Sequence, residues 1–232
     1  MRNRSFSSNT MTNAETVFGW LYLPVHFAFL ATLVRLLLQA LHLELTPFEL
    51  NMVCYGINLA AIAIGFRRFL SQRFFGGSFW HFVQSCILGA VMHYVGTWLV
   101  GYAIDFLGMY LPLYNNDVIT SFVESNPYVM LFVSIILAPV VEETLFRGVV
   151  FGSLRRTSRA CAYVFSVLLF ALMHTWQFFC TQPPLAVVLS SLAYLPAGIA
   201  LAWTYDRANT IWASITLHAL INAVSYGLVT IG

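Results

Sequence analysis

The stretch Val141-Glu142-Glu143-Thr144-Leu145-Phe146-Arg147-Gly148 decides the class of fold, because it places two carboxylates and an arginine inside a segment apolar enough to cross a membrane. One charge near the centre of a bilayer costs about 2.5 to 3.5 kcal/mol even on the mildest scale. The three charges of this stretch therefore require partners, and ionisable residues in such a setting indicate a functional site.

The composition of the whole chain indicates the same setting. Of the 232 residues, 59% are hydrophobic and only 9% are charged, whereas a soluble domain carries about 25% charged residues. The length leaves room for roughly six to eight spans of about 20 residues with short connections. We therefore predict a single integral membrane domain over residues 1–232. Its expected fold is all-α, a polytopic helical bundle of about seven transmembrane helices.

The apolar runs and the arginines predict the topology. The runs lie near residues 17–41, 48–66, 82–106, 127–154, 160–180, 184–204 and 209–231. All 11 basic residues are arginines, and nine of them lie outside the apolar runs. A cytoplasmic N-terminus puts all nine on the cytoplasmic side, as the positive-inside rule requires. Three polar clusters fall within residues 127–232, the last four runs, whereas residues 1–126 carry helices to which the sequence assigns no role.

The first polar cluster divides into a pair and a single carboxylate. Glu143 and Arg147 are four residues apart, so a helix stacks them on one face, where each lowers the cost of the other's charge. Glu142 lies about 100° around the helix and outside that register. We therefore interpret Glu142 as a general base and the other two residues as a supporting pair. Pro139 removes a backbone hydrogen bond and predicts a kink beside the glutamates.

The other two clusters lie on later helices at a similar depth. Phe170 and His174 share a helix face, and so do His218 and Asn222, which offer an imidazole and an amide to an oxyanion. At a rise of 1.5 Å per residue, Glu142, His174 and Asn222 lie about 20 to 22 Å from an arginine that anchors their helix, and His218 about 16 Å. These matched depths predict that the polar groups meet.

The three clusters resemble, in order, the signature motifs of the CPBP or ABI family, the type II CAAX prenyl endopeptidase-like intramembrane proteases. The motifs read Glu142-Glu143-x-x-x-Arg147, Phe170-x-x-x-His174 and His218-x-x-x-Asn222. Their flanks, Ala138-Pro139, Phe146-Arg147-Gly148 and Ile211-Trp212-Ala213-Ser214-Ile215, also resemble the family pattern. The resemblance covers roughly residues 135–225, the expected four-helix catalytic core.

The resemblance implies hydrolysis of a peptide bond inside the membrane without a covalent intermediate or a cofactor. Carried onto this chain, Glu142 with His174 activates a water, and His218 with Asn222 binds the tetrahedral oxyanion. Glu143 and Arg147 hold the helix, and Phe170 forms a wall beside His174. The implied substrate is a membrane-bound or lipidated peptide, including a prenylated one of the CAAX type.

Other mechanisms are open to the same residues. Zinc is the alternative cofactor, because Glu142, His174 and His218 could form a site of two histidines and one glutamate, although the chain has no HExxH motif. Tyr205-Asp206 resembles part of an intramembrane aspartyl protease, but Asp206 adjoins Arg207 at the expected membrane edge, which favours a cytoplasmic cap or a salt bridge.

Other functions are open as well. The polar residues could form a satisfied network that joins helices. The chain could also be a non-catalytic immunity or scaffold protein of the same family, or a small proton-coupled transporter. The absence of a basic patch argues against nucleic acid, so the expected partners are the lipid bilayer and the peptide substrate. The short, loop-poor chain favours a prokaryotic plasma membrane over the endoplasmic reticulum.

Overall fold

The computed structural model describes residues 11–231, with side chains up to residue 227. Every regular element in this range is helical and none is a strand, which confirms the predicted all-α class. Arg2 and Arg4, which the topology prediction places in the cytoplasm, lie outside the described residues. The helices that build the site are α1 Asn13–Ala40, α2 Pro47–Gly65, α3 Phe79–Phe106, α4 Tyr114–Ser125, α5 Pro127–Arg155, α6 Arg159–Met173, α7 Pro184–Leu192, α8 Leu195–Ala208 and α9 Ile211–Ile231.

The first two helices begin at the same kind of cap. The hydroxyl of Thr12 accepts a hydrogen bond from the backbone N–H of Glu15 at 3.2 Å, and the carboxylate of Glu15 accepts one from the backbone N–H of Thr12 at 2.9 Å. Thr46 and Glu49 repeat this arrangement at 3.2 and 2.8 Å. Such a capping box satisfies donors that the first turn leaves unpaired. Each Thr-x-x-Glu sequence therefore starts its helix ahead of the apolar run.

Four helices of the described chain, α1, α2, α3 and α5, are long and apolar enough to cross a membrane. The pair α7 and α8 provides a fifth candidate if the two helices, bent by 40° relative to each other, form one span. The helical membrane bundle is therefore confirmed. The number of about seven spans and the cytoplasmic N-terminus stay predictions.

Two of the predicted runs are interrupted in the structure. The run 160–180 is not one helix, because α6 ends at Met173 after 15 residues, and the 3₁₀ helix Trp176–Cys180 follows. The run 184–204 divides between α7 and α8. The physical reason is Pro196, which has no N–H to donate to the carbonyl of Leu192 four residues earlier. Both interruptions lie beside His174, so they shape the site.

The helix α5 lies at the centre of the bundle. Of its most apolar stretch 56% is buried inside the protein, compared with 17% for α1, α2 and α3. Every residue from 141 to 152 is buried. The helix α1 packs against this segment, and Gly19 allows the approach, because a Cβ there would collide with the side chain of Val149. The N-terminal helices therefore contact the predicted catalytic core directly, while the division of the chain at residue 127 stays a prediction.

Asp206 ties three helices together at one end of the bundle. Its carboxylate pairs with Arg155 at 3.0 Å and with Arg159 at 2.7 Å, and it accepts a hydrogen bond from Tyr163 at 3.2 Å. The interpretation of Asp206 as a salt-bridge partner is therefore confirmed. The shared contact also holds the arginine anchors of α5 and α6 at the same level, as the depth argument assumed.

Candidate active site

The helix α5 is irregular on both sides of its two glutamates. π-helical turns occupy Val133–Leu137 and Thr144–Phe151, and such turns are frequent at functional sites. Between the two π turns lies a short α-helical segment that includes Pro139 and ends at Glu143. Glu142 and Glu143 are both buried there, so the irregular helix places two adjacent carboxylates in the interior of the bundle.

Glu143 is fully engaged by partners from two helices. Its Oε1 accepts a hydrogen bond from Arg147 Nη1 at 3.0 Å and lies 2.8 Å from His218 Nδ1. Its Oε2 accepts a hydrogen bond from the hydroxyl of Ser214. The side chains of Glu143 and Arg147 are completely buried. The predicted pair is therefore present, and it also holds the histidine of the third motif.

The guanidinium of Arg147 contacts three different groups. Besides Glu143 it binds the backbone carbonyl of Gly198 through Nη2 at 3.0 Å, and its guanidinium carbon lies 4.3 Å from the centre of the Phe170 ring. A cation over an aromatic face is attracted by the ring quadrupole. The buried positive charge therefore has an anion, a carbonyl and an aromatic ring around it, which lowers the cost of removing it from water.

Glu142 differs from its neighbour because one of its oxygens has no hydrogen-bond partner. Oε2 is buried and unpartnered among the described residues. It lies 3.9 Å from His174 Nε2 and 4.0 Å from His218 Nε2. The structure thus brings together one residue from each of the three motifs around a single unpaired carboxylate oxygen.

The hydrogen-bond partners of the two imidazoles determine which nitrogen faces Glu142 with a lone pair. His174 Nδ1 lies 2.8 Å from the carbonyl oxygen of Phe170, which can only accept, so this nitrogen carries the hydrogen. His218 Nδ1 faces the Glu143 carboxylate and carries its hydrogen for the same reason. In the neutral rings both Nε2 atoms are therefore acceptors directed towards Glu142.

Aromatic rings hold the orientation of His174. The Phe170 ring lies 4.7 Å from the imidazole and confirms the predicted wall, and it also makes an edge contact with His218 at 5.8 Å. His174 also stacks on Tyr194 at 4.4 Å with an angle of 20° between the planes. The hydroxyl of Tyr194 donates to Asn116 Oδ1 at 3.1 Å. The imidazole is therefore in contact with two aromatic rings.

Asn222 contacts the backbone of α5 and not the other motif side chains. Its Nδ2 donates to the carbonyl of Ser134 at 2.8 Å. In the π turn the N–H of Ala138 bonds to Val133, so the next donor in this register would belong to Pro139, which has none. The Asn222 amide replaces this missing donor. One of its two hydrogens is thus used structurally, and its predicted contact with an oxyanion stays a prediction.

The alternative zinc site can be compared with this geometry. Zinc binds nitrogen and oxygen at about 2.0 to 2.2 Å in a tetrahedron, which separates ligand atoms by about 3.4 Å. The separations of 3.9 and 4.0 Å around Glu142 are wider, and the described residues contain no cluster of His, Cys, Asp or Glu that could hold a metal ion. The residues as placed do not fit tetrahedral zinc.

Sequence reasoning did not identify two side chains of the site. Ser214 lies four residues before His218 on α9, and this spacing could have assigned it to the same face. Tyr194 lies in the break between α7 and α8, and no local pattern in the sequence connects it with His174. Their contacts depend on how the helices pack.

The comparisons with known proteins match part of the chain. Residues 124–224 match the family model described as "Type II CAAX prenyl endopeptidase Rce1-like". The "Putative membrane peptidase YdiL" of Bacillus subtilis is 29% identical over 109 residues, 47% of this chain and 40% of the relative. The "UPF0177 protein YxdF" of Lactococcus lactis subsp. lactis is 32% identical over 90 residues, 38% of this chain and 42% of the relative.

These similarities concern less than half of each protein. The matched region spans 40% and 42% of the two relatives' lengths, and no solved structure matches the chain. The matched residues nevertheless include all three motifs and the helices that carry them. The resemblance found in the motifs is thereby confirmed, because residues 124–224 of this helical membrane protein are similar to the Type II CAAX prenyl endopeptidase Rce1-like family.

Proposed function

We propose that the chain is an intramembrane endopeptidase that hydrolyses a peptide bond of a membrane-bound or lipidated substrate with a water activated by Glu142 and His174. One observation carries the proposal. The Oε2 atom of Glu142 is buried without a hydrogen-bond partner and faces two imidazole lone pairs at 3.9 and 4.0 Å. An unmade buried hydrogen bond costs about 1 to 3 kcal/mol, which favours a site that takes up a water over a network that only joins helices.

The separations around Glu142 suit one water molecule. They exceed the reach of a direct hydrogen bond and match the span between two groups that a water bridges. Such a water donates one hydrogen to Glu142 Oε2 and the other to His174 Nε2. Its oxygen lone pair is then available to attack the carbonyl carbon of a peptide bond presented in the site. A buried carboxylate and a histidine are suited to this proton transfer.

In the proposed reaction Glu142 takes up one proton and later releases it, so it is unchanged at the end. The carboxylate takes one hydrogen as the water oxygen bonds to the carbonyl carbon, and it returns this hydrogen to the amide nitrogen as the C–N bond breaks. The second hydrogen of the water stays on the new carboxyl group. Glu142 ends in its starting state, and the products are a carboxylic acid and an amine.

Two side chains are suited to donate hydrogen bonds to the oxyanion of the tetrahedral intermediate. The Nδ2 atom of Asn222 has a second hydrogen besides the one that it donates to Ser134. His218 can donate through Nε2 only when the ring is doubly protonated, because its Nδ1 hydrogen is directed at Glu143. In that form the positive charge of His218 lies between the Glu143 carboxylate and the oxyanion, an arrangement that stabilises both partners.

The matched family and the location of the site support this substrate class. The family description names a prenyl endopeptidase, and the site is built on helices of the membrane bundle. A peptide reaches such a site when a lipid or an apolar segment holds it at the bilayer. We therefore include a prenylated peptide of the CAAX type among the substrates that this site would accept.

The test is hydrolysis by purified protein reconstituted in liposomes. An internally quenched peptide with a farnesylated C-terminal CAAX sequence and the same peptide without the lipid are compared for the wild type and Glu142→Gln. We expect cleavage of the farnesylated peptide by the wild type and loss of cleavage in the variant. Full activity of Glu142→Gln would contradict the role of Glu142 as the base.

The metal alternative is decided in the same assay. Because the spacing of Glu142, His174 and His218 is too wide for tetrahedral zinc, we expect full activity after treatment with 1,10-phenanthroline. Activity that chelation removed and zinc restored would replace the proposal with a zinc mechanism. A wild type that cleaved neither peptide, while it bound them, would favour a scaffold or immunity protein.

A further inference from the structure

The N-terminal helices contribute a second buried polar cluster, which lies outside the segment that matches the family. It consists of Tyr22 and His26 on α1 and Asn58 on α2. The Oδ1 atom of Asn58 accepts a hydrogen bond from the Tyr22 hydroxyl at 2.8 Å and lies 2.9 Å from His26 Nδ1. Asn58 is buried, so the cluster joins α1 to α2 inside the protein.

This cluster lies next to the catalytic side chains. Phe27, the residue after His26, stacks on Trp176 with 5.8 Å between the ring centres. Trp176 lies two residues after His174 in the sequence. The helix α2 packs against the part of α5 that carries Glu142 and Glu143. The two N-terminal helices therefore form a wall of the site.

His26 presents an unused hydrogen-bond acceptor at this wall. Its Nδ1 faces an amide oxygen, which can only accept, so Nδ1 carries the hydrogen and Nε2 has the lone pair. The Nε2 atom is buried and has no hydrogen-bond partner among the described residues. The ring also lies in the π turn Val25–Phe29, directly after Pro24, a type of irregularity that is frequent at functional sites.

A peptide that enters a membrane-embedded site brings donors of its own. Its backbone N–H groups lose water there and need acceptors inside the protein. The catalytic water occupies the acceptors of Glu142 and His174 in the proposed reaction. An unpaired imidazole nitrogen on the adjoining wall is the complementary group for a backbone N–H of the substrate.

We infer that His26 is a substrate-binding residue whose Nε2 accepts a hydrogen bond from a backbone N–H of the bound peptide. The inference rests on the proposed function for the nature of the ligand. It assigns α1 and α2 a task that neither the three motifs nor the family match includes, namely to complete the peptide-binding side of the site.

Two substitutions distinguish the role of Nδ1 of His26 from the role of its Nε2. His26→Asn keeps a donor near the Nδ1 position for Asn58 and loses the distal acceptor, whereas His26→Gln keeps an acceptor near the Nε2 position. A merely structural role would favour the asparagine variant, and substrate binding would favour the glutamine variant. Tyr22→Phe is the matched control, because it removes a hydrogen bond from the same cluster and leaves His26 in place.

The readout is binding of the farnesylated CAAX peptide in the inactive Glu142→Gln background, together with kcat and KM in the active protein. We expect His26→Asn to raise the Kd about tenfold, the effect of one lost hydrogen bond, and to raise KM in parallel. His26→Gln and Tyr22→Phe should stay within about threefold of the parent, a range smaller than one hydrogen bond.

The outcomes distinguish this inference from the proposed function. Weaker peptide binding by His26→Asn in a protein that cleaves nothing would support the inference and contradict the peptidase. An unchanged Kd with a lower kcat would overturn the inference, because His26 would then act on the water. Equal effects of the asparagine and glutamine variants, or no binding of the peptide by the parent, would overturn it as well.

Discussion

The Nδ1 atom of His218 lies 2.8 Å from Oε1 of Glu143, the oxygen that Arg147 also binds at 3.0 Å. The second glutamate of the motif therefore holds an imidazole in place, and the Nε2 atom of that imidazole faces the first glutamate. Two adjacent carboxylates of the same type thus have different tasks. Glu143 is satisfied by its partners and positions His218, whereas Glu142 Oε2 has no hydrogen-bond partner among the described residues, as the proposed reaction requires.

The two glutamates should respond differently to the same substitution. Glu143→Gln leaves the Arg147 charge buried without its anion, so we expect the free energy of unfolding to fall by about 3 to 5 kcal/mol. Glu142→Gln should cause no loss of stability, because a neutral amide is cheaper to bury than a carboxylate. Its activity should fall by about 10² to 10⁴-fold.

Thermal unfolding in detergent and peptide cleavage in liposomes measure the two effects separately. A Glu143→Gln protein that was as stable as the wild type but inactive would assign the catalytic role to Glu143. Equal stability losses in both variants would also contradict the division of tasks between the two carboxylates.

Asn222→Leu should destabilise the protein by about 1 to 3 kcal/mol, because the carbonyl of Ser134 would lose its donor. Adding Pro139→Ala restores a backbone N–H in the register that faces this carbonyl. We therefore expect the loss caused by Asn222→Leu to be smaller by about 1 kcal/mol in the Pro139→Ala background.

A double-mutant cycle of unfolding free energies measures this coupling. Additive effects would show that Pro139 and Asn222 do not act on the same carbonyl. Cleavage that stayed low while stability recovered would assign Asn222 a second task, in the reaction itself.

Tyr194→Leu should lower kcat about three- to tenfold, because the loss of one aromatic face is worth about 0.5 to 1.5 kcal/mol and frees the His174 ring. Tyr194→Phe keeps the stacking face and should retain nearly full activity. Steady-state kinetics with the farnesylated peptide measure both variants. A rise of KM at constant kcat would argue against positioning of His174 and for a contact of Tyr194 with the substrate.

The same substitution at two glycines should have opposite effects on stability. Gly19→Ala places a Cβ against the Val149 side chain, so we expect a loss of about 1 to 3 kcal/mol. Gly56→Ala meets nothing within 4 Å and should gain about 0.5 to 1 kcal/mol from reduced backbone freedom. Chemical unfolding of the two variants measures the difference. A stable Gly19→Ala protein would contradict the close contact of α1 with α5.

The features that the sequence predicted correctly are local ones. The pairing of Glu143 with Arg147 and the wall that Phe170 forms beside His174 follow from a spacing of four residues on one helix. The matched depths of Glu142 and His174 predicted their meeting, because their helices, α5 and α6, share an anchor at Asp206. The helical repeat and the rise per residue are sufficient to predict such contacts.

The features that the sequence did not predict depend on irregular backbone. Neither the π turns of α5 nor the break before Pro196 follows from apolar periodicity, and these irregularities direct Asn222 to Ser134 and Tyr194 to His174. The predicted run 184–204 is divided into two helices bent by 40° for the same reason, and its being one membrane span stays a prediction.

By itself the sequence determined that this is a helical membrane protein with three polar motifs, because the cost of charge in lipid and the helical repeat act over a few residues. Only the tertiary structure decided the partners of each polar atom. Glu143 of α5 contacts His218 of α9, and Asn58 of α2 contacts His26 of α1. Hydrogen bonds require positions within fractions of an ångström, and the packing of distant helices sets those positions.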